Sequence, residues 1–197
     1  MPNELLVENL CTQGYHLIDN FLPPTDYQKL RTIAQAMHDT NHLQDAKIGQ
    51  HLKTQHNNTI RTDKISWLDE HATEPAIQAY LQKVHALVAL INQHLFLSLI
   101  EFEAHFAVYP PGAFYKKHVD QFNTSKNRKI SCVYYLNEQW TNQFGGHLKL
   151  YNPENQLLQE IGPQGNRFIC FNSELPHEVC LTHQTRYSIT GWMKTRP

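Results

Sequence analysis

Apolar residues follow two spacings in this chain: helical steps through much of the first half, and alternation with polar residues from Leu99 onward. In the first half, Leu17-Ile18-Asp19-Asn20-Phe21-Leu22 predicts a short strand running into a turn. Pro23-Pro24-Thr25-Asp26 is a start signal for a helix reaching about His38. Leu30, Ile33, Ala34 and Met37 give that helix one apolar side. Polar residues then dominate from Asn41 to Thr62, where Gly49, Asn57 and Asn58 interrupt any regular element. The expectation there is an exposed loop or loose hairpin, of the kind that closes over a site held by a rigid scaffold. Apolar content returns at Ile65, Trp67 and Leu68. Ile77, Leu81, Val84, Val88 and Ile91 mark a second helix from about Glu74 to Leu95 that should cover a sheet.

In the second half, Ile100 to Tyr109 predicts a strand, Pro110-Pro111-Gly112 a turn, and Phe114 to Asp120 a further extended stretch. Ile130 to Leu136, His147 to Tyr151, Leu157 to Ile161, Arg167 to Phe171, His177 to Leu181 and Arg186 to Met193 continue the series. Many short strands split by Pro, Gly and Asn turns predict a mainly β architecture. It is a jelly roll, the double-stranded β-helix of cupin-like proteins, with supporting N-terminal helices on one outer face. A chain of 197 residues accommodates this as a single domain, residues 1–98 forming helical support, strands and mobile loop and residues 99–197 the core.

Composition narrows the classes of partner. Seventeen Lys and Arg against eighteen Asp and Glu leave a formal charge of -1, so no overall field draws the chain to nucleic acid or an anionic membrane. The start, Met1-Pro2-Asn3-Glu4, lacks a basic segment followed by a long apolar run, which points to a cytoplasmic protein with no membrane partner. Cys11, Cys132, Cys170 and Cys180 show no CxxC spacing, and two of them lie in apolar strand-like runs. Buried thiols are expected rather than disulfides or a structural zinc site. Nothing in the pattern specifies an oligomeric state.

The chemistry concentrates in His118-Val119-Asp120, His177 and Arg186, the last nine residues beyond His177. In a strand, residues i and i+2 point the same way, so His118 and Asp120 can converge while Val119 faces away. Two imidazoles and a carboxylate suit Fe(II) and leave positions open for a bidentate ligand and dioxygen. Against this, the chain carries 13 histidines, most of which must be surface or core residues. His147 and His183 are the substitutes, but neither has an equally placed carboxylate.

On the final strand Arg186, Ser188, Thr190 and Trp192 share one face, and Tyr187, Ile189 and Met193 the other. A polar set ending in an aromatic suits the interior of a barrel that holds a small polar ligand. A buried arginine there needs a carboxylate, supplied either by an internal Asp or Glu or by a ligand such as 2-oxoglutarate. Tyr135 shares a strand face with Val133 and Asn137 and can donate its hydroxyl to the same carboxylate. Tyr109 and Tyr115 either border this pocket or are ordinary core tyrosines. Lys116, Lys117, Lys126, Arg128 and Lys129 either favour an acidic peptide or form a solvated basic edge.

Together these residues resemble the iron and 2-oxoglutarate dependent prolyl hydroxylases, especially the animal oxygen-sensing enzymes and their bacterial homologues. The likeness runs through Gly14 to Leu22, Arg61 to Trp67, Tyr109-Pro110 to Asp120, Cys132 to Asn137, Gly145-Gly146-His147-Leu148, Pro176 to Val179 and Arg186 to Thr190. It implies that His118, Asp120 and His177 ligate iron and that Arg186 and Tyr135 hold the distal carboxylate of 2-oxoglutarate. It also implies that Tyr109 lies near the co-substrate, that Trp192 lines the inner wall with Thr190 beside it, and that Arg128 and Tyr115 border the peptide entrance.

The implied cofactors are Fe(II), 2-oxoglutarate and O2, with ascorbate as reductant. The implied partner is a protein or peptide containing proline, with a translation elongation factor as the analogue from bacterial relatives. Gln121-Phe122 after Asp120, a longer connection at Ser125 to Lys129 and the absence of a cysteine-rich zinc module depart from the animal enzymes. Competing readings are an oxygenase of another side chain, a small molecule or alkylated nucleic acid, and a non-catalytic jelly-roll metal-binding protein. Against the nucleic-acid reading, tryptophan occupies position 192 where that group would have a second arginine.

Overall fold

The computed structural model describes residues 2–46, 57–121 and 125–196. Helix α1 (Pro2–Thr12), strand β1 (Tyr15–Ile18), helix α2 (Pro24–Asp39), strands β2 (Gln44–Asp45) and β3 (Lys64–Trp67) and helix α3 (Pro75–Leu95) come first. Strands β4 (Glu101–Tyr109), β5 (Tyr115–His118), β6 (Arg128–Tyr135), β7 (Leu148–Tyr151), β8 (Leu157–Ile161), β9 (Phe168–Asn172), β10 (His177–Val179) and β11 (Arg186–Lys194) follow. They form a seven-stranded sheet in the order β1-β9-β6-β11-β4-β3-β2 and a four-stranded sheet in the order β5-β10-β7-β8. This is the expected jelly roll with N-terminal helices.

Alternation along the central strands gives the major sheet two buried faces. Tyr134, Leu136, Ile189 and Met193 point toward the helices and pack with Leu30, Tyr80, Val84 and Ile91. Val133, Tyr135, Ile169 and Phe171 point the other way and meet Leu148, Leu150, Ile161 and Val179 of the minor sheet. The site lies in this second layer.

Three features differ from the expectation. Helix α1 and strands β2 and β3 were not marked by the local pattern. Strand β1 ends at Ile18, earlier than expected. Asn20 then takes a left-handed conformation (φ 53°), which turns Phe21 and Leu22 out of the strand and into the helix-side core. The polar stretch also departs at its edges: Gln44 and Asp45 pair with Ile65 and Lys64, and Arg61 bridges Tyr115, while residues 47–56, with Gly49, lie outside the described residues. All four cysteines are free, with Cys132 and Cys170 buried opposite each other on β6 and β9. Among the described residues no helix is long and apolar enough to cross a membrane.

One buried asparagine ties the N-terminal segment to the sandwich. Asn166 accepts hydrogen bonds at Oδ1 from Leu22 N (3.0 Å) and Tyr134 Oη (2.8 Å), and its Nδ2 donates to Leu22 O (2.9 Å). Its backbone is left-handed (φ 60°), which asparagine tolerates better than most residues. Asn166→Ala removes the partners of three buried groups, each costing about 1–3 kcal/mol when unsatisfied, so an overall loss of about 3 kcal/mol is expected after relaxation. Urea denaturation checks this, and an unchanged midpoint would refute the role.

Candidate metal centre

The minor sheet brings His118 and His177 together because β5 and β10 pair with these two residues directly opposite. The register then shifts, Val179 standing opposite Tyr115, so three steps on β5 match two on β10. Such a bulge re-aims side chains. Here it puts Tyr115 and His118, three residues apart, on the same side, with rings stacked 3.6 Å apart. The strand ends at His118, short of the extended stretch to Asp120 expected from the sequence, and Asp120 lies in a bend two residues beyond it, held by its backbone N–H donating to Ser173 O at 3.2 Å.

The donor atoms of His118, Asp120 and His177 all lie within 4.8 Å of one another, and this is the sole such cluster among the described residues. His118 Nε2 is 3.5 Å from Asp120 Oδ1, and His177 Nε2 is 3.4 Å from Asp120 Oδ2. Each imidazole is oriented by the backbone two residues upstream. Nδ1 of His118 lies 2.7 Å from Lys116 O, and Nδ1 of His177 lies 2.9 Å from Leu175 O. A carbonyl only accepts, so Nδ1 carries the proton and Nε2 presents its lone pair to the cluster.

Burial works to raise the Asp120 carboxyl, but the two imidazoles outweigh it and hold the group well below the usual carboxylate range. Burial and then His177 push His118 down. Burial opposes charge on His177 as well, yet Asp120 outweighs it and the net direction is upward. The carboxylate is therefore ionised and acceptor-only.

From the triad the pocket extends along β11 to Arg186, with Thr190 and Trp192 also lining it. Arg186 is 1% exposed. Its NH1 donates to Ser188 Oγ at 3.2 Å and its Nε has no partner. Tyr109 and Tyr135 flank the guanidinium, 4.9 and 5.0 Å from their ring centres. The Tyr135 hydroxyl is buried and likewise unpartnered, and burial pushes its pKa up against the opposing pull of Arg186, so it remains a donor. Among the described residues the arginine ion pairs belong to Arg31, Arg61, Arg128 and Arg167; the internal carboxylate that Arg186 needed under one reading is not there.

The other cations lining the pocket are compensated. Arg61 forms a two-point pair with buried Asp63 (2.8 and 2.6 Å) and lies 4.3 Å from the Tyr115 ring centre. Arg128 pairs with Glu103 at 2.7 Å and stacks 3.6 Å over Trp192, whose indole N–H is buried without a partner. Between Trp192 and the exposed Trp67 sits His105, kept neutral because burial, helped by Arg61, pushes its pKa down to about 4.

Tyr109, Tyr115, His118, Asp120, Arg128, His177, Arg186, Thr190 and Trp192 line this pocket, and Tyr135 stands against Arg186 at its edge; His147 sits against Glu160 at 3.7 Å, and neither it nor His183 joins the cluster. Sequence reasoning missed Ser131, which precedes Val133 and Tyr135 on the same strand face and was one alternation step away. It also missed Ser173, Asp63, Glu103, His105 and Trp67.

The model of the 2OG-Fe(II) oxygenase superfamily matches residues 104–194, a span holding all three metal donors and Arg186. A crystal structure of a prolyl-4-hydroxylase from Pseudomonas putida is 36% identical, with a TM-score of 0.87 over 99% of this chain and 100% of that one. The chain belongs to the 2OG-Fe(II) oxygenase superfamily.

Within this superfamily the chain is also similar to a Trichoplax adhaerens prolyl hydroxylase, solved in complex with a hypoxia inducible factor oxygen degradation domain peptide fragment. That likeness is 31% identity at a TM-score of 0.87, covering 98% of this chain and 89% of that one. Human Egl nine homolog 1 is 30% identical over 96% of this chain and 46% of its own length. The chain spans about half the length of the human, rat and mouse Egl nine homolog 1 proteins it matches. The residues present fit the superfamily's cofactors: the donor set suits Fe(II) with positions open for dioxygen, and orphaned donors at Arg186 and Tyr135 suit an anion such as 2-oxoglutarate.

Metal binding should therefore stabilise the fold. A free Mn(II) concentration of about one hundred times Kd adds about 2.7 kcal/mol, which a thermal melt reads as a clear upward shift in Tm. His177→Ala should abolish that shift, and an equal shift in the folded variant would exclude the triad.

Proposed function

We propose that this oxygenase hydroxylates a prolyl residue in a protein or peptide, coupled to oxidative decarboxylation of 2-oxoglutarate to succinate. The observation that carries the reading is Arg186, buried without an anion in the pocket that holds the His118, Asp120 and His177 donors. Iron, when bound, supplies Lewis acidity and the redox chemistry that activates dioxygen. The chain supplies the rest. Arg186 and Tyr135 grip the distal carboxylate of 2-oxoglutarate, and Tyr109, Thr190 and Trp192 shape the cavity around its carbon chain. A two-point grip fixes the co-substrate's orientation, which is the main contribution a protein makes to a cofactor-borne reaction.

At the entrance, Tyr115 braces His118, and Arg128 with Trp192 forms one wall. Because Glu103, Lys194 and Glu101 complete an ion-pair network with Arg128, two cations against two carboxylates, the wall is polar but electrically balanced. This weighs against a strong preference for acidic peptides. A translation elongation factor is the protein substrate suggested by analogy, ascorbate the suggested reductant, and the cytoplasm the suggested location, in keeping with four free thiols. Prolyl specificity is supported by the relatives that match over nearly the whole chain.

Two experiments test this reading. Arg186→Ala removes a charge-assisted contact worth about 1.5–3 kcal/mol, so KM for 2-oxoglutarate should rise about 10- to 100-fold in a succinate assay. An unchanged KM would release Arg186 from the co-substrate. Capture of substrates from a proteome with iron and 2-oxoglutarate, followed by mass spectrometry, should find a one-oxygen gain at proline. The same gain found at other side chains alone, or oxidative repair of alkylated DNA, would replace the prolyl assignment.

A further inference from the structure

Ser131 and Ser173 are fully buried hydroxyls beside the Asp120 carboxylate, in a layer otherwise filled by Val133, Tyr135 and Phe171. Ser131 Oγ donates to Asp120 Oδ2 at 2.6 Å and lies 2.9 Å from Ser173 Oγ. The direction of this chain of bonds follows from the donor. Ser131 Oγ donates to Asp120 Oδ2, so its single hydroxyl hydrogen is committed there. The contact between the two serines must then run from Ser173 to Ser131. Ser173 also accepts the Asp120 backbone N–H through its carbonyl, so one residue anchors Asp120 at the main chain and, through Ser131, at the carboxylate.

We infer that Ser131 and Ser173 are positioning residues for the metal centre, a hydroxyl relay that fixes the Asp120 carboxylate as a one-oxygen ligand. A hydrogen bond to Oδ2 makes the two carboxylate oxygens unequal and leaves Oδ1, which no hydroxyl among the described residues contacts, as the freer donor. Held in this way, Asp120 does not swing to chelate with both oxygens. A second carboxylate oxygen would take one of the open positions that co-substrate and dioxygen require. The fold alone does not call for these hydroxyls, since an apolar residue of similar size would suit their buried positions.

The inference rests on the metal-centre reading, and Mn(II) titration calorimetry of the whole chain separates the two. Ser131→Ala should weaken Mn(II) binding about 10- to 100-fold with the melting temperature of the metal-free protein little changed, as loss of an outer-shell partner does elsewhere. Ser173→Ala should weaken it less, and Ser131→Thr, which keeps the hydroxyl, should restore most of the affinity. A folded Ser131→Ala protein that binds Mn(II) within about twofold of wild type would overturn the relay. If Ser131→Ala does not fold, Ser173→Ala decides, and an unchanged Kd there overturns it equally. Wild-type protein that takes up no Mn(II) would instead bring down the metal centre, and this inference with it.

Discussion

The pairing of His177 with His118 across β10 and β5 is the constraint on which the chemistry depends. Side chains alternate along a strand, so a slip of one residue would turn His177 out of the pocket and leave a two-ligand site. The register is held from both sides: β10 also pairs with β7, where His177 stands opposite Leu150, and β7 pairs in turn with β8. Phe171 of the opposing sheet packs edge-on against the His177 ring at 4.8 Å. The bulge on β5 adds a second constraint. It lets Tyr115 stack on His118 from the same side of the strand, which regular alternation forbids.

The pocket is polar in two different ways. Toward its entrance, Arg61 and Arg128 each meet a carboxylate and an aromatic face, so their charges are satisfied within the fold. At the far end Arg186 is buried among tyrosines with a hydroxyl and no carboxylate. An uncompensated buried cation costs several kcal/mol. Gly146 makes this placement possible, because its backbone is left-handed (φ +66°) and a Cβ there would come within 3.1 Å of the arginine stem. The fold therefore keeps a charge unpaired at one end of the cavity while neutralising its neighbours, which concentrates anion affinity at one place.

Much of this was legible because it lies within single elements. The split faces of β11 and β6 are local alternation, α2 announced itself through an apolar stripe and a proline start and α3 through an apolar stripe, and His118 and Asp120 are near neighbours in sequence although Asp120 lies just beyond β5. Contacts between distant segments were not legible. Nothing local to Arg128 says that Glu103 will meet it, and nothing near Ser173 says that it will lie beside Ser131. Short elements were also opaque: β3 has four residues, and the pairing with β4 that defines it lies some forty residues away. The functional consequence lies at Arg128, which the sequence groups with neighbouring lysines and the fold pairs with Glu103.

The metal centre also joins the two sheets. Both imidazoles belong to the minor sheet and are oriented by their own strands' neighbouring carbonyls, whereas Asp120 is oriented by Ser131 of the major sheet and by Ser173 just beyond β9. Arg186 and Tyr135 also stand on the major sheet. The distance from the metal donors to Arg186 is thus set by the layer between the sheets, where Val133, Leu148, Leu150, Phe171 and Val179 interlock. Close-packed interiors transmit small volume changes as displacements. Packing in that layer is accordingly part of the geometry of the site, because it sets how far the buried guanidinium of Arg186 stands from the donors at His118, Asp120 and His177.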